Sequence, residues 1–287
     1  MSVVKAGYLI SYDYNFVKTS LPRVYDEVDE IVFAVDIDRR TWSGQDFKID
    51  NAFWEWVKEI DTAKKIRIFE DHFYVPELTP MECDTRERNM LGKEMGNADW
   101  YVQIDSDEYF VDFKRFIDKL RKFNPEIPAT VLCKVATLFK EVETGYLVIG
   151  KSTETLSFAT NKPVYDLARN NVTGNKHIFW DDLVLHQSWA RTPEEIYWKL
   201  NNWSHKNDFN TKSFYNLWQA VDEFNYYGLK DFHPLDPKVW PKLNLIKGSL
   251  AEILDSSEIR LLDQLESVSV KRKPLLSRLW REIKSSV

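Results

Sequence analysis

Cysteine is almost missing from this chain. The 287 residues contain only Cys83 and Cys133, without CxxC spacing, which excludes a disulfide scaffold and a cysteine zinc site and fits a reducing compartment. Long apolar runs are missing too: no stretch approaches the roughly 18 residues that a membrane-spanning helix needs. The opening "MSVVKAGYLISYDYNF" is too short in apolar length, and meets charge too early, for a secretory leader, so a cytoplasmic protein is expected. Positive charge is in deficit, with a net charge of -6, and nothing overall would attract a phosphate backbone, so no nucleic-acid partner is expected. What remains is an ordinary globular composition, 44% hydrophobic and 29% charged, long enough for one large domain with an appendage. The aromatic share is high at 14%, with 11 Trp. Most such rings belong to cores, while exposed ones commonly serve as platforms for sugar rings.

The first half alternates two periodicities. "VVKAGYLI", "EIVFAVD" and Trp100 to Ile104 read as buried strands, and "KKIRIFED" as a further strand. Residues 16–27, with Pro22 near the middle, "DNAFWEWVKEI", and residues 84–97, with Asp84 as N-cap and Gly96-Asn97 as the stop, read as helices. Strand and helix in alternation predict an α/β fold with a mixed, mainly parallel sheet flanked by helices. Further strands are expected at "ATVLCKVATLF", "GYLVIG" and "LVLHQSW", with a long polar loop over residues 151–175. Thr192-Pro193-Glu194-Glu195 carries the signature of a capping box opening a helix, and a second helix is expected over residues 211–227.

Ligands of such sheets bind beyond the carboxyl ends of the strands. Asp13 follows the first strand, Asp36 ends the second, and Asp105-Ser106-Asp107-Glu108 follows the fourth. Aspartate is a common turn residue, but three carboxylates within four residues exceed what a solvated turn requires. Asp105 and Asp107, separated by one residue on a strand-to-loop turn, can converge on a hard cation, Mn2+ or Mg2+, that neutralises a diphosphate. His186, directly after the apolar run of "LVLHQSW", is positioned as a third metal ligand.

The segment "RERNMLGKEMGNADWYVQIDSDEYF" resembles that of family 2-type glycosyltransferases with the GT-A fold, through Arg88-Asn89 and Asp105-Ser106-Asp107. "LVLHQSWARTPEEIYWKLNNWSH" is similar to their closing segment, with His186 completing the metal site. The resemblance implies a GT-A-type, Rossmann-like catalytic domain over residues 1–230 and a helical C-terminal extension over 231–287. It also implies transfer of a sugar from a nucleotide-diphosphate sugar to a saccharide or lipid-linked acceptor, in surface polysaccharide or glycolipid synthesis. Asp13, Asp36, Arg88 and Asp105 would contact the donor, and Asp105, Asp107 and His186 would hold the metal. Two departures stand out. "AVDIDRRTWSG" replaces the usual acidic-Gly-Ser turn after the second strand, and no Glu-Asp pair marks a general base. Asp181, Asp182 and Glu154 are the candidates, with Asp181 preferred as catalytic base.

Two other readings compete: a nucleotidyltransferase, for which "AGYLISYDYNF" supplies only Gly7 where a glycine-rich phosphate loop is needed, and a non-catalytic carbohydrate-binding protein on the same fold. The tail "KRKPLLSRLWREIK", residues 271–284, sets Leu275, Leu276, Leu279, Trp280 and Ile283 at helical spacing among basic residues. It reads either as a peripheral helix on an anionic membrane surface or as a packing face toward the catalytic domain or another subunit of a homo-oligomer.

Overall fold

A computed structural model describes residues 2–172 and 174–266 of the chain. The basic tail at 271–284 lies outside the described residues. The four apolar runs of the first half form β1 (Val4–Ile10), β2 (Glu30–Asp36), β3 (Ile66–Asp71) and β4 (Trp100–Asp105), separated by α1 (Val17–Val24), α2 (Asn51–Ile60) and α3 (Pro80–Glu94). After β4 come β5 (Glu108–Phe110), α4 (Phe113–Lys122), β6 (Ala129–Val142), β7 (Gly145–Gly150), β8 (Thr155–Thr160), β9 (Lys176–His186), α5 (Pro193–Asn202) and α6 (Thr211–Ala220). β10 (Lys242–Lys247), α7 (Leu250–Leu254) and α8 (Glu258–Glu266) complete the described chain.

Among the described residues the strands join in one mixed sheet of order β10-β7-β6-β8-β4-β1-β2-β3, with β9 against β6 and β5 against β9. Its first half is parallel: β1 lies between β2 and β4, and β2 pairs with β3. β1, β2 and β4 are mostly apolar because both faces are covered there, while β3, at the sheet edge, leaves Ile68 and Glu70 exposed. Ile31, Phe33 and Val35 of β2 join the core shared with α1, α2 and α4. Val32 and Ala34, pointing the other way, join Leu91 of α3 and Met95 just after it. Each such side chain contributes roughly 1.5–3 kcal/mol by leaving water. Gly7 lets α3 approach β1 closely, since a methyl group there would lie 2.8 Å from Leu91 Cδ2.

Several expectations are corrected. α3 starts earlier than read, at Pro80, with Thr79 as N-cap in a capping box with Glu82; Asp84 lies inside the helix. Thr79→Ala should therefore cost about 1 kcal/mol, read as a lower urea midpoint at unchanged slope. The polar stretch after β7 contains β8, which pairs with both β4 and β6. The extension expected as helical contains β10, which pairs antiparallel with β7. The second capping box is present as read, with Thr192 accepting from Glu195 N at the start of α5. Trp189, Trp218 and Trp240 are buried in an aromatic core under α5 and α6. Among the described residues no helix is long and apolar enough to cross a membrane.

Candidate active site

The acidic turn between β4 and β5 assigns its carboxylates to different cations. Glu108 Oε2 accepts the Asp105 N–H at 2.8 Å, which closes the turn. The Glu108 carboxylate is buried and is gripped by both terminal nitrogens of Arg169, a residue delivered by the polar stretch between β8 and β9. Asp105 accepts from Arg88 Nη2 at 2.9 and 3.2 Å. Arg88 itself is fixed by Asp84, one helical turn earlier, through Nε at 2.6 Å. Charge concentrated in sequence is thus matched by arginines brought in from α3 and from the segment before β9.

Asp107 sits among three further basic groups. β5 pairs antiparallel with β9 so that Glu108 faces His186, and this register brings His186 Nε2 to 3.5 Å from Asp107 Oδ2. Arg191, just before α5, donates to the same oxygen, and Lys199 Nζ of α5 lies 3.4 Å from it. Lys199 also donates to Ser188 Oγ at 2.9 Å and lies 5.6 and 5.9 Å from the Trp189 and Trp203 ring centres. Burial works to raise the Asp107 pKa, yet Lys199, His186 and Arg191 together hold it well below the ordinary carboxylate range. Burial opposes protonation of His186, but the neighbouring Asp107 raises its pKa above the ordinary value. Burial, reinforced by Arg191, lowers that of the Lys199 ammonium.

Of these groups Arg88, Asp105, Asp107, His186 and Lys199 line a cleft at the carboxyl ends of β1, β2 and β4, with an empty volume of about 870 Å³ including its mouth open to solvent. Tyr12, Trp42, Phe47 and Glu87 also line it. Trp42 Nε1 donates to Glu87 Oε2 at 2.6 Å, and burial pushes the Glu87 carboxyl up to about 8. Asp36 shapes the rim: its two oxygens accept the backbone N–H groups of Asp38, Arg40, Phe73 and Tyr74 at 2.9–3.2 Å. The carboxylate thereby ties the loop after β2 to the segment after β3. Asp13 accepts from Ser106 Oγ at 3.2 Å and from Arg191 at 3.1 Å. Thr41 donates to Asn202 Oδ1 at 2.7 Å, fastening the loop after β2 to α5.

Asp13, Asp36, Arg88, Asp105, Asp107 and His186 all line this cleft. Asp181 does not. Its side chain is 85% exposed and pairs with Lys119 of α4 at 3.0 Å, while neighbouring Asp182 is buried against Lys119 and Arg115. A register break in β9, between the pairs Cys133–Trp180 and Lys134–Leu183, leaves Asp181 and Asp182 out of the ladder and lets both reach Lys119 of α4 rather than the strand end. Glu154, the third candidate base, is engaged by Thr137 Oγ1 at 2.9 Å and does not line the cleft.

Asp105, Asp107 and His186, expected to hold a metal, meet in the cleft with basic partners. Among the described residues no three His, Cys, Asp or Glu side chains are grouped to hold a metal ion. The physical reason is that Asp107 already faces Arg191, Lys199 and His186 while Asp105 faces Arg88. The donor set therefore does not fit Mn2+ or Mg2+, whose sites need several oxygen ligands free to converge. Sequence reading missed Arg169, Arg191, Lys199, Trp42 and Glu87. The available signal was charge balance: an acidic turn buried at a strand end requires buried cations, and Arg191 and Lys199 follow His186 closely in the chain.

No protein-family model matches the chain, and no curated protein matches it. Solved structures do. One is TarS from S. aureus, at 14% identity over 50% of this chain and 41% of that one, TM-score 0.32. Another is the mannosyltransferase PcManGT from Pyrobaculum calidifontis in complex with GDP-Man and Mn2+, at 10% identity over 70% of this chain and 60% of that one, TM-score 0.46. HddC from Yersinia pseudotuberculosis, complexed with GMP-PN, matches at 10% identity over 65% of this chain and 93% of that one, TM-score 0.34. Likeness at this level says nothing about what this chain binds.

Proposed function

We propose that the cleft binds a nucleotide-diphosphate sugar and that the protein is a glycosyltransferase, passing the sugar to a saccharide or lipid-linked acceptor. The observation that carries this reading is the convergence of Asp13, Asp36, Arg88, Asp105, Asp107 and His186, scattered over the sequence, in one cleft at the strand edge where α/β sheets take nucleotides. Tyr12, Trp42 and Phe47 offer the nucleoside apolar surface, and Arg88, His186 and Lys199 in the same cleft suit the diphosphate. In the reaction the bond between the anomeric carbon and the phosphate oxygen breaks, its electron pair leaves with the nucleoside diphosphate, and the acceptor oxygen bonds the carbon and loses its proton. Charge developing on the leaving group is the main electrostatic demand. The exposed position of Asp181 on the α4 face makes it unsuitable as the acceptor's base.

A thermal-shift panel of UDP, GDP, CMP and dTDP tests the reading, each with manganese and with EDTA. One nucleotide is expected to raise the melting temperature by several degrees, since a ligand at a hundred times its Kd adds about 2.7 kcal/mol. If none of the four shifts the transition in either buffer, the cleft is not a nucleotide site.

A further inference from the structure

We infer that the protein supplies the positive charge for the diphosphate from Lys199 and Arg88, so that the donor binds without a divalent cation. This rests on reading the cleft as a nucleotide-sugar site.

The first support is that the acidic turn has no free pair of carboxylates to offer. Asp107 Oδ2 faces three basic groups, and Asp105 accepts from Arg88 with Arg169 Nη1 at 4.0 Å. A divalent ion placed between these carboxylates would lie beside Lys199 and Arg88 and repel both. The carboxylates instead orient the cations, holding each long side chain in one conformation before the ligand arrives.

The second support is the donor inventory. Lys199 Nζ has three N–H bonds, directed in part to Asp107 and Ser188, which leaves one. Arg88 Nη1 is buried and has no hydrogen-bond partner among the described residues, and the same holds for His186 Nδ1. Arg88 is 3% exposed. Lys199, Arg88 and His186 all line the cleft. Buried donors without partners are costly, and their common complement is an anion with several acceptor oxygens. A diphosphate supplies that, and a metal ion, which accepts no hydrogen bond, does not.

The aromatic surroundings explain why lysine serves here. Lys199 is enclosed by Trp189 and Trp203, which restrict its stem and keep bulk water from its ammonium group. A charge held in this way interacts more strongly with an incoming phosphate than an exposed one would.

Calorimetric titration of UDP and GDP into the protein, in EDTA and in Mn2+, tests the inference. The expected result is the same affinity in both buffers within about twofold, a loss of about tenfold or more in Lys199→Gln, and retention in Lys199→Arg, since hydrogen bonds to charged groups contribute at least this much. Urea midpoints of the variants separate lost binding from lost folding, and the comparison of the two buffers on the unaltered protein needs no variant. Binding that appears only with Mn2+ overturns the inference and leaves the nucleotide-sugar reading standing. Binding in neither buffer overturns that reading, and the inference with it.

Discussion

Asp107→Ala is expected to lower the unfolding free energy by about 3–5 kcal/mol, because it strands buried charges that no longer have their partner. Arg191 would keep Asp13 at 3.1 Å as its carboxylate partner, and Lys199, with the Ser188 hydroxyl and two aromatic rings, would have none within ion-pair distance. Asp107→Asn, which keeps an acceptor but not the charge, should fall between. The pH dependence has a definite sign. Basic neighbours hold the folded carboxyl below its ordinary value of 3.8 against the opposing effect of burial, so its contribution is complete above that value and is lost as pH falls through the lower folded value. His186 runs the other way: burial opposes the rise, but with its pKa lifted above 6.5 by Asp107, its contribution is complete below 6.5 and fades as pH climbs through the folded value. Urea unfolding of wild type and variant at neutral pH decides the matter. A difference under about 1 kcal/mol, the level of an exposed pair, would mean that the three cations do not depend on Asp107.

Glu87→Gln is expected to stabilise the protein, and increasingly so as pH rises. Burial, aided by Asp84 and Asp36, moves the Glu87 carboxyl from 4.5 to about 8. Below 4.5 the folded and unfolded chains both carry the proton. Between these values the unfolded chain releases it and the folded chain keeps it, so stability falls by about 1.4 kcal/mol for each pH unit. Across the interval the penalty reaches about 4–5 kcal/mol. Glutamine carries no charge at any pH and can still accept from Trp42 Nε1. The stability difference between variant and wild type should therefore grow by several kcal/mol between pH 5 and 8.5, and a difference independent of pH would show that Glu87 is ionised in the folded protein. Once ionised, Glu87 would also place negative charge in the cleft, so nucleotide binding should weaken as pH rises through about 8.

The elements read correctly are those whose pattern is local. β1, β2 and β4 are mostly apolar because both faces of the sheet are covered there, and α5 announces itself through Thr192, Pro193 and Glu195. β8 was invisible because "TLSFAT" is bounded by polar residues and becomes a strand only through pairing with β4 and β6; tertiary contacts override local preference there. Asp84 looked like an N-cap because its partner, Arg88, is recognisable only once α3 has formed. The acidic side of the cleft was legible, since Asp13, Asp36, Asp105 and Asp107 each end a readable strand. Its basic side was not. Arg169, Arg191 and Lys199 lie 61 to 92 positions from the carboxylates they meet, and no sequence pattern links a cation to an acid at that separation.

The position of β8 has a consequence for the order in which the protein is made. A chain emerging from its N-terminus completes β1 to β4 well before β8 exists, so one long edge of β4 stays bare during synthesis and is open to unwanted pairing with other chains. Asp107 and Glu108 help to guard it, because until Arg169, Arg191 and Lys199 emerge they are hydrated anions at the end of that edge, and like charges on neighbouring nascent chains repel. The acidic turn then acts first as a solubilising group and only afterwards as part of a closed cleft.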